Sequence, residues 1–217
     1  METNELVKLI KGRRSIRVWE ERAVDEDLLL KAIEIATYAP NGGNQQNWRF
    51  YLIENRDIIK AIADAVQTSA VYVAALPEAK KFGDMITGMT QRASSFRSAP
   101  SLIIVAAKQY QSPTDQILAA SEKVDVRACQ MRQWRNMADS RIQSVASAIA
   151  YLLLVLHQMG LGAVWMTGPL QVKGDIEKLL KVPPEMDIVA LIPVGYPAES
   201  PDLRERRPLR EVCQIIR

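Results

Sequence analysis

The order of helix-like and strand-like segments along this 217-residue chain predicts one domain with an α/β or α+β sandwich. Three observations carry that expectation. Apolar residues recur at helical spacing in several separate segments. Short branched or aromatic runs lie between them. No Pro/Gly/Ser-rich linker, internal repeat or low-complexity stretch divides the chain. In sequence the segments read helix, helix, strand, helix, strand, helix, strand, helix, strand.

The first helix is NELVKLIKG, residues 4–12, with Leu6, Leu9 and Ile10 on one face and a glycine at its end. The second, residues 25–40, opens on acidic residues, carries Leu28, Leu29, Ala32, Ile33 and Ala36, and stops near Pro40. WRFYLIEN, residues 48–55, alternates and is rich in aromatic and branched residues, which makes it a strand. The helical period returns at RDIIKAIADAVQ, residues 56–67. Residues 71–98 contain Pro77, Gly83 and Gly88 and read as a helical excursion. Its rings, Tyr72 and Phe82, and its methionines suit a lid over a pocket and a packed surface subdomain equally. SLIIVAA, residues 101–107, is a buried strand, and a long helix runs from about Asp139 to Met159. Residues 163–168 and 186–197 read as strands, with a helix over 173–182 between them.

Composition narrows the function classes. Hydrophobic residues make up 48% and charged residues 24%, as in an ordinary soluble domain. The net charge of +3 is carried in short arginine clusters and not in one basic half. That pattern suits a small anionic ligand and argues against nucleic acid. Two distant cysteines form neither a CxxC pair nor a metal spacing. A lone histidine, His157, leaves no material for a histidine metal site or a Ser-His-Asp triad, and it reads as a core or interface residue. No signal-peptide core opens the chain, and the apolar run at 148–156 is too short to cross a bilayer. The expectation is a cytoplasmic protein without a membrane partner.

Four motifs remain. GRRSIRVW, residues 12–19, crowds Arg13, Arg14 and Arg17 around Ser15. Guanidinium forks bind phosphate oxygens bidentately, and three crowded cations repel until an anion joins them. A solvated basic turn is the plain alternative. APNGGNQQNWRF, residues 39–50, holds Gly42, Gly43 and the amides Asn41, Asn44, Gln45, Gln46 and Asn47. Such amides bond heteroaromatic nitrogens and carbonyls, although an Asn/Gly-rich turn needs no ligand. GLGAVWMTGPL, residues 160–170, ends a strand at Gly168-Pro169, where backbone N–H groups can meet a ligand edge or the chain can simply reverse. RERRPLR, residues 204–210, adds cations near the C-terminus. Neither GxGxxG nor GxxxxGK[ST] occurs.

In the order RRSIR, APNGGNQQNWRF, GLGAVWMTG, ALIPVGYPAESP and RRPLREV, the chain resembles the FMN-dependent nitroreductase family. The resemblance runs from about Leu6 to Val212 and is weak from Val71 to about Gln143. It implies an α+β fold, a mainly antiparallel central sheet flanked by helices, in an intertwined homodimer with FMN at the interface. It places Arg13, Arg14 and Ser15 at the phosphate and ribityl chain, completed by Arg206 and Arg207. Arg17 goes to the N1/O2 edge, and the backbone of Thr167 and Gly168 to the N5/O4 edge. Pro40, Asn41, Gly42 and Asn44 reach the flavin of the other subunit. The implied activity is ping-pong hydride transfer from NAD(P)H to a nitroaromatic or quinone acceptor. Reductive dehalogenation, flavin fragmentation or flavin binding without turnover are the alternatives. Two departures from the family pattern stand out: Asn47 takes the place of a proline, and Thr167 stands where some relatives are acidic.

Overall fold

The computed structural model describes residues 3–108 and 112–217. Four strands form one antiparallel sheet: β1 (Trp48–Ile53), β2 (Ser101–Lys108), β3 (Gly162–Ala163) and β4 (Met186–Gly195), in the order β1-β2-β4-β3. With its flanking helices this is the α+β class, with mainly antiparallel pairing.

Strand β2 explains why SLIIVAA shows no alternation. Residues 101–107 are all buried, because helices cover both sheet faces. Successive side chains point to opposite faces. Leu102 and Ile104 join one core with Ile59, Ile62, Val66 and Phe96. Ile103 and Val105 join a second core with Leu29, Val145, Ile149 and Leu152. Each such side chain, fully buried, contributes about 1.5–3 kcal/mol.

The first core is closed by α3 (Arg56–Ala75), whose start Asn55 caps by accepting from the N–H groups of Asp57 at 2.9 Å and Ile58 at 3.2 Å. The helical period was expected to end near residue 67; the helix continues to Ala75, into the excursion. The rest of the excursion is a 3-10 turn at Pro77–Phe82, helix α4 (Asp84–Arg92) and a 3-10 turn at Ser95–Ser98.

The second core is closed by α2 (Glu26–Ala36) and α7 (Ser140–Gln158). Leu152 and Leu156 are fully buried within one chain, while Tyr151 is exposed. The other helices are α1 (Thr3–Gly12), α5 (Pro113–Ser121), α6 (Val126–Ala138), α8 (Lys173–Leu180) and α9 (Leu209–Val212). Helices α5 and α6 were not anticipated. A capping box between Ser112 and Asp115 starts α5, and Asp139, at φ 34°, separates α6 from α7.

Two expectations need correction. The strand expected over 163–168 shrinks to Gly162–Ala163 and a single bridge from Met166 to Leu191, because Pro169 cannot donate and the chain coils into a 3-10 turn from Gly168. By length and composition alone, α3 and the span Val126–Gln158 are long and apolar enough to cross a bilayer, whereas the expectation rested on the shorter run at 148–156. In the fold, the buried faces of α3 and α7 pack on the sheet.

Candidate functional site

The segment after α1 is held on the edge of the sheet. Ser15 bridges Ala163 in parallel, and the Ile16 N–H donates to the Ala163 carbonyl at 3.1 Å. The Trp19 indole N–H donates to the Gly162 carbonyl at 2.8 Å. The approach is close because of two glycines. A Cβ on Gly162 would lie 2.8 Å from Ile16, and one on Gly195 would lie 2.5 Å from Pro100 Cγ and 3.1 Å from Trp19 Cδ1.

The other side of the segment is held by GYPAES. The Glu20 N–H donates to the Tyr196 carbonyl at 2.9 Å, and the Ala198 N–H to the Val18 carbonyl at 3.0 Å. The Glu199 carboxylate accepts from the backbone N–H of Arg17 and, at 3.1 Å, from that of Val18. Arg22 stacks over the Tyr196 ring, 3.9 Å from its centroid. The expectations assigned Glu199 no role, yet it fixes the backbone that carries Arg17.

This frame gathers cations. Burial pushes the Arg13 guanidinium below its ordinary pKa, and nearby Arg14 and Arg206 push it the same way. Arg14 donates to the carbonyls of Lys11 and Arg13, both at 2.7 Å. Among the described residues, none of the three forms an ion pair. Arg13 and Arg206, 193 positions apart, are thus brought together, whereas Arg207 is exposed. Arg17 is exposed and directs a guanidinium nitrogen to the Ser15 carbonyl at 3.4 Å.

His157 is not a core residue. It is half-buried at the end of α7, with Nε2 only 3.3 Å from where a Cβ on Gly12 would sit. Burial lowers its pKa, and Arg13 and Arg14 lower it further. A concavity of about 390 Å³ beside it is lined by Glu5, Lys8, Leu9 and Gln158.

The amide loop is folded onto the start of α7. The Gly42 N–H donates to Ser144 Oγ at 3.2 Å, and Ser147 Oγ–H to the Pro40 carbonyl at 2.6 Å. Asn41 is spent inside the loop: its Nδ2 donates to the Ala39 carbonyl at 3.2 Å, and its Oδ1 accepts from the Gln46 N–H at 2.9 Å. Gly43, Asn44 and Gln46 take positive φ values of 60°, 51° and 46°, which turns the loop tightly. Pro40, Gly42 and Asn44 are exposed. Asn47, in the expected proline position, is buried with Oδ1 lacking a hydrogen-bond partner among the described residues.

Thr167 and Gly168 stand exposed at the start of the 3-10 turn, and nothing lies within 4 Å of where a Gly168 Cβ would be. Gly168 also borders a cavity of about 300 Å³ between α3, α4 and the turn. A cluster of cations without an ion pair among the described residues, and an open glycine backbone, are features that a phosphorylated, planar ligand can use. Their donors are guanidinium groups and backbone N–H groups.

Known proteins resemble this chain in sequence and in fold. A Methanothermobacter thermautotrophicus protein, provisionally named an NADH dehydrogenase/NAD(P)H nitroreductase, is 29% identical over 204 residues, covering 93% of this chain and 82% of its own. An iodotyrosine deiodinase of Thermotoga neapolitana is 27% identical over 217 residues, covering 95% of each chain. Among solved structures, a BluB-like flavoprotein from Clostridium difficile 630 superposes over the full length of both chains with a TM-score of 0.84 at 25% identity. A nitroreductase with bound FMN from Desulfitobacterium hafniense does so with a TM-score of 0.72 at 15% identity. A model of the Nitroreductase family matches residues 10–196, from the end of α1 through the arginine segment to the Tyr196 that Arg22 covers, and the chain therefore belongs to that family.

Proposed function

We propose that this protein is an FMN-dependent oxidoreductase that takes hydride from NAD(P)H and passes reducing equivalents to a nitroaromatic, quinone or similar acceptor. The observation that carries the reading is the cluster of Arg13, Arg14 and Arg206, none of which forms an ion pair among the described residues. Its charge and donor chemistry fit a phosphate dianion. When bound, FMN supplies the hydride chemistry at N5. Arg13, Arg14, Ser15, Arg206 and Arg207 hold the phosphate end. Arg17, on a backbone clamped by Glu199, sets a permanent positive charge where negative charge collects on reduction. Thr167 and Gly168 offer open backbone to the N5/O4 edge. No side-chain base is required by this assignment.

The site is completed by a second copy. Pro40, Asn41, Gly42 and Asn44 reach the partner's flavin. Exposed Leu6, Val7 and Ile10 on α1, and Leu209, Ile215 and Ile216 near the C-terminus, leave apolar surface for that copy to cover. Because Asn41 spends its side-chain amide inside its own loop, it meets the partner's flavin with its backbone while its side chain holds the loop's shape. Free Cys129 and Cys213 fit a reducing, cytoplasmic compartment.

The visible spectrum of the purified protein tests the reading. Flavin bands that bleach anaerobically with NADH or NADPH, in a particle of twice the chain mass, are the expected result. A colourless protein that fails to bind added FMN overturns it, and flavin bands that neither nucleotide bleaches reduce the protein to a binding module. A second reading, reductive dehalogenation, is supported by the likeness to the iodotyrosine deiodinase. Iodide release from iodotyrosine by the reduced protein decides in its favour.

A further inference from the structure

The cavity beside Gly168 has apolar walls and one charged residue. Val66 and Ala70 of α3, Met89 of α4 and Met166 form much of its surface, and Arg92, in the last turn of α4, is its only charged lining residue among those described. The volume, about 300 Å³, is roughly twice the ~150 Å³ that accommodates benzene, so a single substituted ring fits. Thioethers such as those of Met89 and Met166 pack well against ring edges.

Arg92 is uncompensated. Arg97, in the same excursion, pairs with Asp64 at 2.7 Å, but Arg92 forms no ion pair among the described residues. Its guanidinium lies back across Gly88, and a Cβ there would be 3.1 and 3.2 Å from its two terminal nitrogens. The guanidinium thus lies against the bare Gly88 backbone beside the cavity that Arg92 lines. A cation at the rim of such a chamber, exposed and without an ion pair among the described residues, selects a ligand with an apolar ring and an anionic group.

We infer that the cavity takes single-ring aromatic acceptors bearing a carboxylate or a comparable anion, with Arg92 as the residue that reads the charge. This rests on the FMN reading above, because Gly168 joins the cavity to the proposed reactive edge. For a nitroaromatic acceptor, one turnover is ArNO2 + NAD(P)H + H+ → ArNO + NAD(P)+ + H2O. Two electrons leave the nicotinamide, and one nitro oxygen departs as water.

The test compares 4-nitrobenzoate with its neutral isostere, 4-nitrobenzamide, on the FMN-loaded protein. Wild type should favour the carboxylate in kcat/KM. Arg92→Gln should lower kcat/KM for the carboxylate by about ten- to a hundredfold and change the amide by less than about threefold, as expected for loss of one charge-assisted contact. Arg92→Lys should recover part of the preference, and Arg92→Glu should reverse it. Binding without turnover is read from perturbation of flavin fluorescence by benzoate and by benzamide. Equal treatment of the two ligands by wild type, or equal losses for both in Arg92→Gln, overturns the inference. If the protein holds no FMN, the cofactor reading fails by itself. Calorimetry with benzoate on wild type and Arg92→Gln then decides the cavity separately: binding lost in the variant supports it, and no binding to either overturns it.

Discussion

Replacing Arg13 with methionine should move two observables in opposite directions. In the free protein Arg13 is half-buried beside Arg14 and Arg206, and burial and both neighbours disfavour its charge. Methionine keeps an apolar stem of similar reach and removes the repulsion. The backbone bond from Arg13 N–H to the Leu9 carbonyl, 3.1 Å, is untouched. The cofactor-free variant should therefore unfold at a higher temperature than wild type. FMN binding should weaken, since one charge-assisted hydrogen bond contributes about 1.5–3 kcal/mol, or about one to two decades in Kd.

Thermal unfolding with and without FMN reads both effects. At a concentration of about a hundred times the wild-type Kd, FMN stabilises wild type by about 2.7 kcal/mol. For a chain of this size that is a shift of about 5–11 °C. A tenfold weaker variant retains about 1.4 kcal/mol, and a hundredfold weaker one about 0.4 kcal/mol. Fluorescence titration supplies the Kd independently. A variant that is less stable without FMN and binds it as tightly as wild type would show that Arg13 is a structural residue, and the anion-site argument would fail.

Three further outcomes follow from the same geometry. Arg17→Ala should lower the flavin reduction potential by more than it weakens FMN binding; potentiometry on the reconstituted variant showing a wild-type potential would remove Arg17 from its role. His157 has a folded pKa below its ordinary value of about 6.5, so the unfolded chain takes up the proton first as pH falls. Cofactor-free wild type should thus lose stability relative to His157→Gln as pH drops below about 6.5, and parallel urea midpoints from about pH 8 to 5 would refute this. Gly195→Ala places a Cβ 2.5 Å from Pro100 Cγ and should cost about 1–3 kcal/mol, read as a lower urea midpoint. An unchanged midpoint would mean that the Pro100 ring gives way freely.

Much of the sheet was legible because its strands are long relative to their punctuation. WRFYLI and MDIVALIPVG are branched, aromatic or apolar runs bounded by polar or turn residues. The strand expected at 163–168 failed for the opposite reason. Two residues suffice for β3 when Gly162 lets Ile16 approach, and that packing is set by a segment roughly 145 positions away. Helix α6 escaped notice because its apolar residues do not form one buried stripe: Val126, Trp134 and Met137 are all exposed, so the helical period has no core to report.

The arginines show where sequence reading stops. Arg13, Arg14 and Arg17 are visible as a charge cluster, but nothing local says whether a carboxylate neutralises them. The fold answers differently for charge and for backbone. Glu199 comes to this segment across 182 positions, yet its carboxylate goes to the N–H groups of Arg17 and Val18. The third guanidinium against Arg13 comes from Arg206, not from the neighbouring Arg17. Had Glu199 paired with Arg13, the cluster would be a structural ion pair and the motif a basic turn. Because it accepts from main chain instead, the cations keep no ion pair among the described residues, and the backbone that carries Arg17 is tied to Glu199. Both are what a site must arrange before a phosphate arrives.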